Sequence, residues 1–160
     1  MGIVGAEHTS FTVANLERSL RFYVELLGFS LIHLRPEITD RYFRTVVGLP
    51  DAVVKGAFLA IPGTTHRLEL FEYVQPSGTP ADVRVHNPGS AHVAYLVEDL
   101  PTFYEQLKSR GARFQSPPVL LDEGPNAGGI AVYLLDPDGI PIELFQPAPR
   151  PSADEQFPNP

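Results

Sequence analysis

Residues 8–13, HTSFTV, alternate polar and apolar side chains, so that Phe11 and Val13 share one face of an extended segment and His8, Ser10 and Thr12 share the other. The period then changes. In LERSLRFYVELLGF, residues 16–29, apolar positions recur three and four apart, the spacing of a helix buried on one side. Asn15 ahead of it can accept from the free amides of a helix start, and Gly28 behind it permits the left-handed turn that ends a helix. Two further runs, VVKGAFLAIPG at 53–63 and RLELF at 67–71, read as strands separated by a turn rich in Pro and Gly.

The same sequence of patterns recurs. AEHTSFTVANL at 6–16 lies over SAHVAYLVEDL at 90–100 with a shift of 84 (92 − 8), which sets His8 on His92, Asn15 on Asp99 and Leu16 on Leu100. The helix LPTFYEQLKSRGARF follows, with Pro101 suited to its first turn and Gly111 to its end. GGIAVYLLDPDG and PIELF close the second copy, the latter lying on RLELF with a shift of 74 (143 − 69). Each copy therefore reads strand, helix, then about three strands, and the repeat spans about residues 6–146. The fold class expected is α+β, two tandem βαβββ modules forming a curved mixed sheet around a cleft. One domain is expected over 1–147, with modules at about 6–75 and 90–146 and a seam in QPSGTPADVRVHNPG. Five prolines in the last fourteen residues make 148–160 a mobile tail by expectation.

Within this frame two glutamates stand out. Glu69 lies between Leu68 and Leu70, and Glu143 between Ile142 and Leu144. A carboxylate in such a setting is costly unless it is paired or binds a metal. By alternation, His8, Glu69, His92 and Glu143 all point away from the helices, so four side chains can converge if the modules join into one sheet. His66 and His86 read as surface or turn residues, His33 as a half-exposed residue after an apolar run rather than a ligand, and DPDG at 136–139 as a turn. GPNAGG at 124–129 reads either as a flexible lid or as a hairpin loop.

Composition narrows the chemistry. With 43% hydrophobic and 19% charged residues the chain is an ordinary globular one, and a net charge of −7 argues against nucleic acid and anionic membranes as partners. There is no cysteine, so metal chemistry falls to His and carboxylates. No run of apolar residues is long enough for a membrane span, and MGIVGAEHTSF lacks the pattern of a signal peptide; the expected location is the cytoplasm.

The segments HTSFTVANLERSLRFYVELLGF, AHVAYLVEDL and VYLLDPDGIPIELFQ, carried in paired βαβββ modules, resemble the vicinal oxygen chelate superfamily, which includes glyoxalases, bleomycin-resistance proteins and extradiol dioxygenases. The resemblance implies one divalent metal (Zn, Ni, Co, Mn or Fe) in the cleft, with His8, Glu69, His92 and Glu143 as its ligands. It also implies a small-molecule substrate with adjacent oxygens and a homodimer. Three classes of activity compete: an isomerase or lyase of glyoxalase I or epimerase type, an extradiol-type ring-cleaving dioxygenase, and a metal-free drug-binding resistance protein. A dioxygenase of this kind needs three protein ligands and open positions for oxygen. Glu69 as a fourth ligand closes one of them and adds a second carboxylate for proton transfer, which favours the isomerase or lyase, with Glu143 and Glu69 as its catalytic residues. The long segment PEITDRYFRTVVGLPDAVVKGAFL resembles epimerase-type relatives; its middle could form a short helix, and Arg41, Arg44 and Lys55 in it read first as solvated surface charge and second as contacts for an anionic substrate.

Overall fold

The structure, a computed structural model, describes residues 2–149. It is a mixed α+β protein with two mixed sheets and few helices, and the chain divides into two compact units, Met1–Ala81 and Asp82–Pro160. The tail expected at 148–160 lies, from Arg150 onward, outside the described residues.

The first unit contains β1 (His8–Thr12), α1 (Leu16–Leu20), β2 (Ser30–Ile38), α2 (Arg41–Val47), β3 (Val53–Ala60) and β4 (Arg67–Gln75). Its four-stranded sheet has the order β1-β4-β3-β2, with β1 parallel to β4 and the other pairings antiparallel. The second unit contains β5 (Val93–Leu96), α3 (Leu100–Ser109), β6 (Arg113–Phe114), β7 (Val119–Leu120), β8 (Ile130–Leu135) and β9 (Pro141–Gln146). Its order is β5-β9-β8-β6, with β7 also on β8 and β5 parallel to β9. Each unit is thus the expected βαβββ arrangement, with α2 added in the first and one strand split in the second.

The helix starts follow from the predicted caps. Asn15 Oδ1 accepts from the Arg18 amide at 2.8 Å, and Asp99 Oδ1 accepts from the Thr102 amide at 3.2 Å. Gly28 and Gly111 both take positive φ, 79° and 86°, where the helical segments end. One feature escaped the pattern: α1 continues into a π-helical stretch, Arg21–Leu26, which swings Phe22 and Tyr23 into the core.

A second tie joins each helix to its sheet. The Leu16 amide donates to Glu72 Oε2 at 2.7 Å, and the Leu100 amide donates to Gln146 Oε1 at 2.8 Å. The two acceptors stand three residues beyond Glu69 and Glu143, at equivalent places in the repeat. On the same strand faces Leu68 and Leu70, and Ile142 and Leu144, are buried, each such side chain contributing about 1.5–3 kcal/mol. The opposite face of β4 carries Glu69, Phe71 and Tyr73. There a small second core of Ile38, Ala52 and Val54 packs with Phe43, Leu49, Phe71 and Tyr73, which seats α2 on the Glu69 face. Turn chemistry is equally local. The fully buried Asp136 accepts from the Asp138 and Ile140 amides, both at 2.8 Å, fixing the DPDG turn, and GPNAGG closes the β7–β8 hairpin as a loop.

Candidate functional site

In the first unit, register decides which side chains meet. Ser10 and Phe58 both stand opposite Glu69, so the β1 and β3 neighbours of this glutamate share its face. His8, two residues before Ser10, brings Nε2 to 3.4 Å from Glu69 Oε2. Glu69 is buried, at 8% exposure, whereas His8 is about one-third open to solvent. The His8 ring stands edge-on to Phe58 at 5.6 Å, and the Arg67 guanidinium covers the same phenylalanine at 4.9 Å. On its other nitrogen, Nδ1, His8 contacts the Glu7 carboxylate, which also pairs with Arg67.

The second unit repeats the arrangement. His92 lies one residue before β5 rather than within it, and its Nε2 is 3.3 Å from Glu143 Oε2. Tyr133 stands opposite Glu143 across β8 and β9, as Phe58 stands opposite Glu69. Its ring is edge-on to His92 at 5.2 Å, matching Phe58 and His8. The difference is one oxygen. The Tyr133 hydroxyl donates to Glu143 Oε2 at 3.4 Å and lies 3.1 Å from His92 Nε2. Burial first, then the charge of Glu143 and the bond to it, hold the Tyr133 hydroxyl above its usual pKa. Tyr73, further along the Glu69 face, is raised in the same direction by burial and by the Glu69 charge.

Each unit therefore brings one predicted histidine to one predicted glutamate: His8 to Glu69, and His92 to Glu143. Among the described residues no group of three or more His, Asp or Glu side chains is gathered as a ready metal cluster. Each unit holds one such pair. The geometry of each suits a cation. With ligand bonds of about 2.1 Å, neighbouring ligands of one ion stand about 3.0–3.4 Å apart, and the two pairs lie at 3.4 and 3.3 Å. When the His8 ring is neutral and gives its Nδ1 hydrogen to Glu7, Nε2 presents a lone pair toward the Glu69 oxygen. Two acceptors that close are stable with a cation between them, and a carboxylate on the far nitrogen is the usual support of a metal-binding histidine.

The other histidines sort differently. His66 is half-buried rather than a plain turn residue, its Nε2 2.9 Å from Thr9 Oγ1. His33 is exposed on the edge strand opposite Phe58. Tyr133, Glu7 and Arg67 are the site residues that the sequence pattern did not single out.

Comparison with known proteins gives four findings. Residues 5–144 match the family described as the Glyoxalase/Bleomycin resistance protein/Dioxygenase superfamily. The chain is 30% identical over 147 residues to a 2-epi-5-epi-valiolone epimerase from Actinomyces sp, covering 90% of this chain and 80% of that protein. It is 27% identical over 141 residues to a probable lactoylglutathione lyase from Synechocystis sp., covering 87% and 92%. Among solved structures, a glyoxalase family protein from Bacillus cereus has the same fold, with a TM-score of 0.80 at 21% identity, covering 93% of this chain and 97% of that one.

Proposed function

The chain belongs to the glyoxalase/bleomycin resistance protein/dioxygenase superfamily, and from that premise we propose that it is a metal-dependent isomerase or lyase that moves a proton beside the carbonyl of a small substrate with adjacent oxygens. One observation carries the reading: the His–Glu pair occurs twice, at equivalent places in the repeat and with nearly the same separation, 3.4 and 3.3 Å. Enzyme-named relatives, an epimerase and lactoylglutathione lyases, support it.

In this proposal His8, Glu69, His92 and Glu143 hold one divalent ion from the set Zn, Ni, Co, Mn and Fe. Bound there, the ion would supply Lewis-acid polarisation of the substrate carbonyl. The chain supplies the rest. Glu7 fixes the His8 ring so that Nε2 faces the site. Glu69 and Glu143 are the bases: one takes the proton from the carbon next to the carbonyl, and either can return it, to the same face or the opposite one. The Tyr133 hydroxyl orients Glu143, while among the described residues no hydroxyl donates to Glu69. The two carboxylates thus meet the substrate in different settings, as acid and base roles require. We also propose a homodimer, since β2 is an edge strand with Leu31, Ile32 and Leu34 exposed.

Solvent exchange tests the activity. Protein reconstituted with each metal should wash deuterium from D2O into the carbon beside the carbonyl in a panel of 2-oxo polyols and hemithioacetals. Glu69→Gln should cut exchange far more than metal content. Oxygen uptake on catechols without any exchange would replace this reading by the dioxygenase, and absence of metal after mild purification would replace it by the drug-binding protein.

A further inference from the structure

Beside α2 the first unit carries a shallow cleft, open to solvent, of about 410 Å3 lined by Thr39, Arg41, Arg44, Thr45, Gly48 and Pro50. Two of its six lining residues are arginines and none is a carboxylate. Among the described residues neither arginine makes an ion pair. By contrast Arg21, Arg35, Lys55, Arg67, Arg84 and Lys108 all face carboxylates in this chain of net charge −7.

Of the two acids flanking the cleft in sequence, Asp40 is occupied, whereas Asp51, after Pro50, is exposed and makes no ion pair among the described residues. Asp40, directly before Arg41, binds Arg35 Nη2 through Oδ2 at 2.5 Å, and this bond, helped by Tyr42, raises the Arg35 guanidinium above its usual pKa. Arg44 is held from behind. Its Nε–H donates to the buried Ala52 carbonyl at 2.9 Å, which anchors the guanidinium plane and leaves its two terminal nitrogens to the cleft. The Thr45 hydroxyl donates to the Arg41 carbonyl at 2.8 Å and is spent on the helix, so the donors that remain are Arg41, the Arg44 terminal nitrogens and Thr39. A planar fork fixed by its third nitrogen, beside a second free guanidinium, matches the oxygens of a phosphate or carboxylate.

The helix that carries the cleft is itself seated on the Glu69 face of its sheet through another of its faces. Phe43 of α2 packs against Phe71 at 5.4 Å, and Phe71 is two residues, roughly 7 Å, along β4 from Glu69 on the same face. We infer that this cleft is an oxyanion subsite that holds a phosphate or carboxylate group of a small ligand. Resting on the reading above, it assigns the substrate to the anionic class, a phosphorylated or carboxylated carbonyl compound, with its charged end at α2.

The test is calorimetric titration of EDTA-treated protein with inorganic phosphate and, separately, malonate, at constant ionic strength made up with chloride. EDTA treatment matters because phosphate itself binds divalent metals. Amide NMR of the same samples locates the site. Phosphate or malonate binding should perturb residues 39–50 first, Arg41→Gln should weaken it at least tenfold, and Arg44→Lys should also weaken it although it keeps the charge. The stronger of the two anions names the group. Binding unchanged by Arg41→Gln, shifts scattered over every basic surface, or no binding in the millimolar range would overturn the inference, and because Arg41 is exposed its variant is not at risk of unfolding. The metal-free format separates the two ideas. Loss of solvent exchange with intact phosphate binding would sink the isomerase and leave the subsite, whereas exchange with no anion binding would do the reverse.

Discussion

Replacing Glu72 tests how each helix is fixed to its sheet. Glu72 accepts from the Leu16 amide at 2.7 Å and pairs with Lys55 Nζ at 2.8 Å. Its side chain is 15% exposed, that of Lys55 44%. The bond from the amide to a charged acceptor is worth about 1.5–3 kcal/mol, whereas an ion pair with so open a lysine is worth about 0–1 kcal/mol. Glu72→Ala loses both and should cost about 2–3 kcal/mol. Glu72→Gln keeps an acceptor for Leu16, as Gln146 does for Leu100, and should cost about 1 kcal/mol or less. The sign with pH follows from the carboxyl, whose pKa is lowered: burial opposes the charge, but the Leu16 amide and Lys55 outweigh it. A group of this kind stabilises the fold above its unfolded pKa, and its contribution is lost as pH falls through the lower folded value. Urea unfolding followed by circular dichroism, at neutral pH and in steps down through the carboxylate range, measures both effects. The reasoning fails if the glutamine variant is as unstable as the alanine one, or if it leaves the slope of stability against pH unchanged.

Other outcomes follow from single contacts. Tyr133→Phe gives the second pair the form of the first and removes a hydroxyl that competes for His92 and Glu143; Zn2+ affinity by chelator competition should rise severalfold, and an unchanged or lower value would refute the competition. Gly56→Ala should cost about 1–3 kcal/mol in urea unfolding, because a Cβ there would come within 2.8 Å of Ile38 and 2.9 Å of the Phe71 ring; a neutral result would mean that this small core yields freely. Light scattering should give twice the chain mass of 17.6 kDa at micromolar concentration, and a monomer mass would remove the homodimer.

Much of the arrangement is legible in the sequence because its signals are local and occur twice. Asn15 with Asp99, and Gly28 with Gly111, mark the same boundaries in both copies, and the alternation around Glu69 and Glu143 assigns their faces. Tyr133 was not legible for a definite reason. The strand pair in the first unit sets Phe58 opposite Glu69, eleven residues on, while the second sets Tyr133 opposite Glu143, ten residues on. The connecting turns differ by one residue, so a cross-strand partner cannot be counted from the repeat alone; it needs the register. Glu7 and Arg67 were missed because their contacts with His8 and Phe58 join ends of neighbouring strands and carry no periodicity. The π-helical continuation of α1 has the same apolar spacing as an ordinary turn at this length, which hides it.

The single oxygen that separates Tyr133 from Phe58 also puts a near-ultraviolet chromophore in contact with one of the two His–Glu pairs. The chain has no tryptophan and only six tyrosines, so tyrosine emission is not drained by energy transfer to an indole. Tyr133 is the tyrosine whose hydroxyl touches a His–Glu pair, and its counterpart Phe58 is nearly dark at the same wavelengths. The part of a near-ultraviolet difference spectrum that Tyr133→Phe removes should therefore follow events at His92 and Glu143, while Tyr73, which feels the Glu69 charge, responds at the first pair. The native protein thus carries its own optical label beside His92 and Glu143, and binding there can be read without attaching a dye.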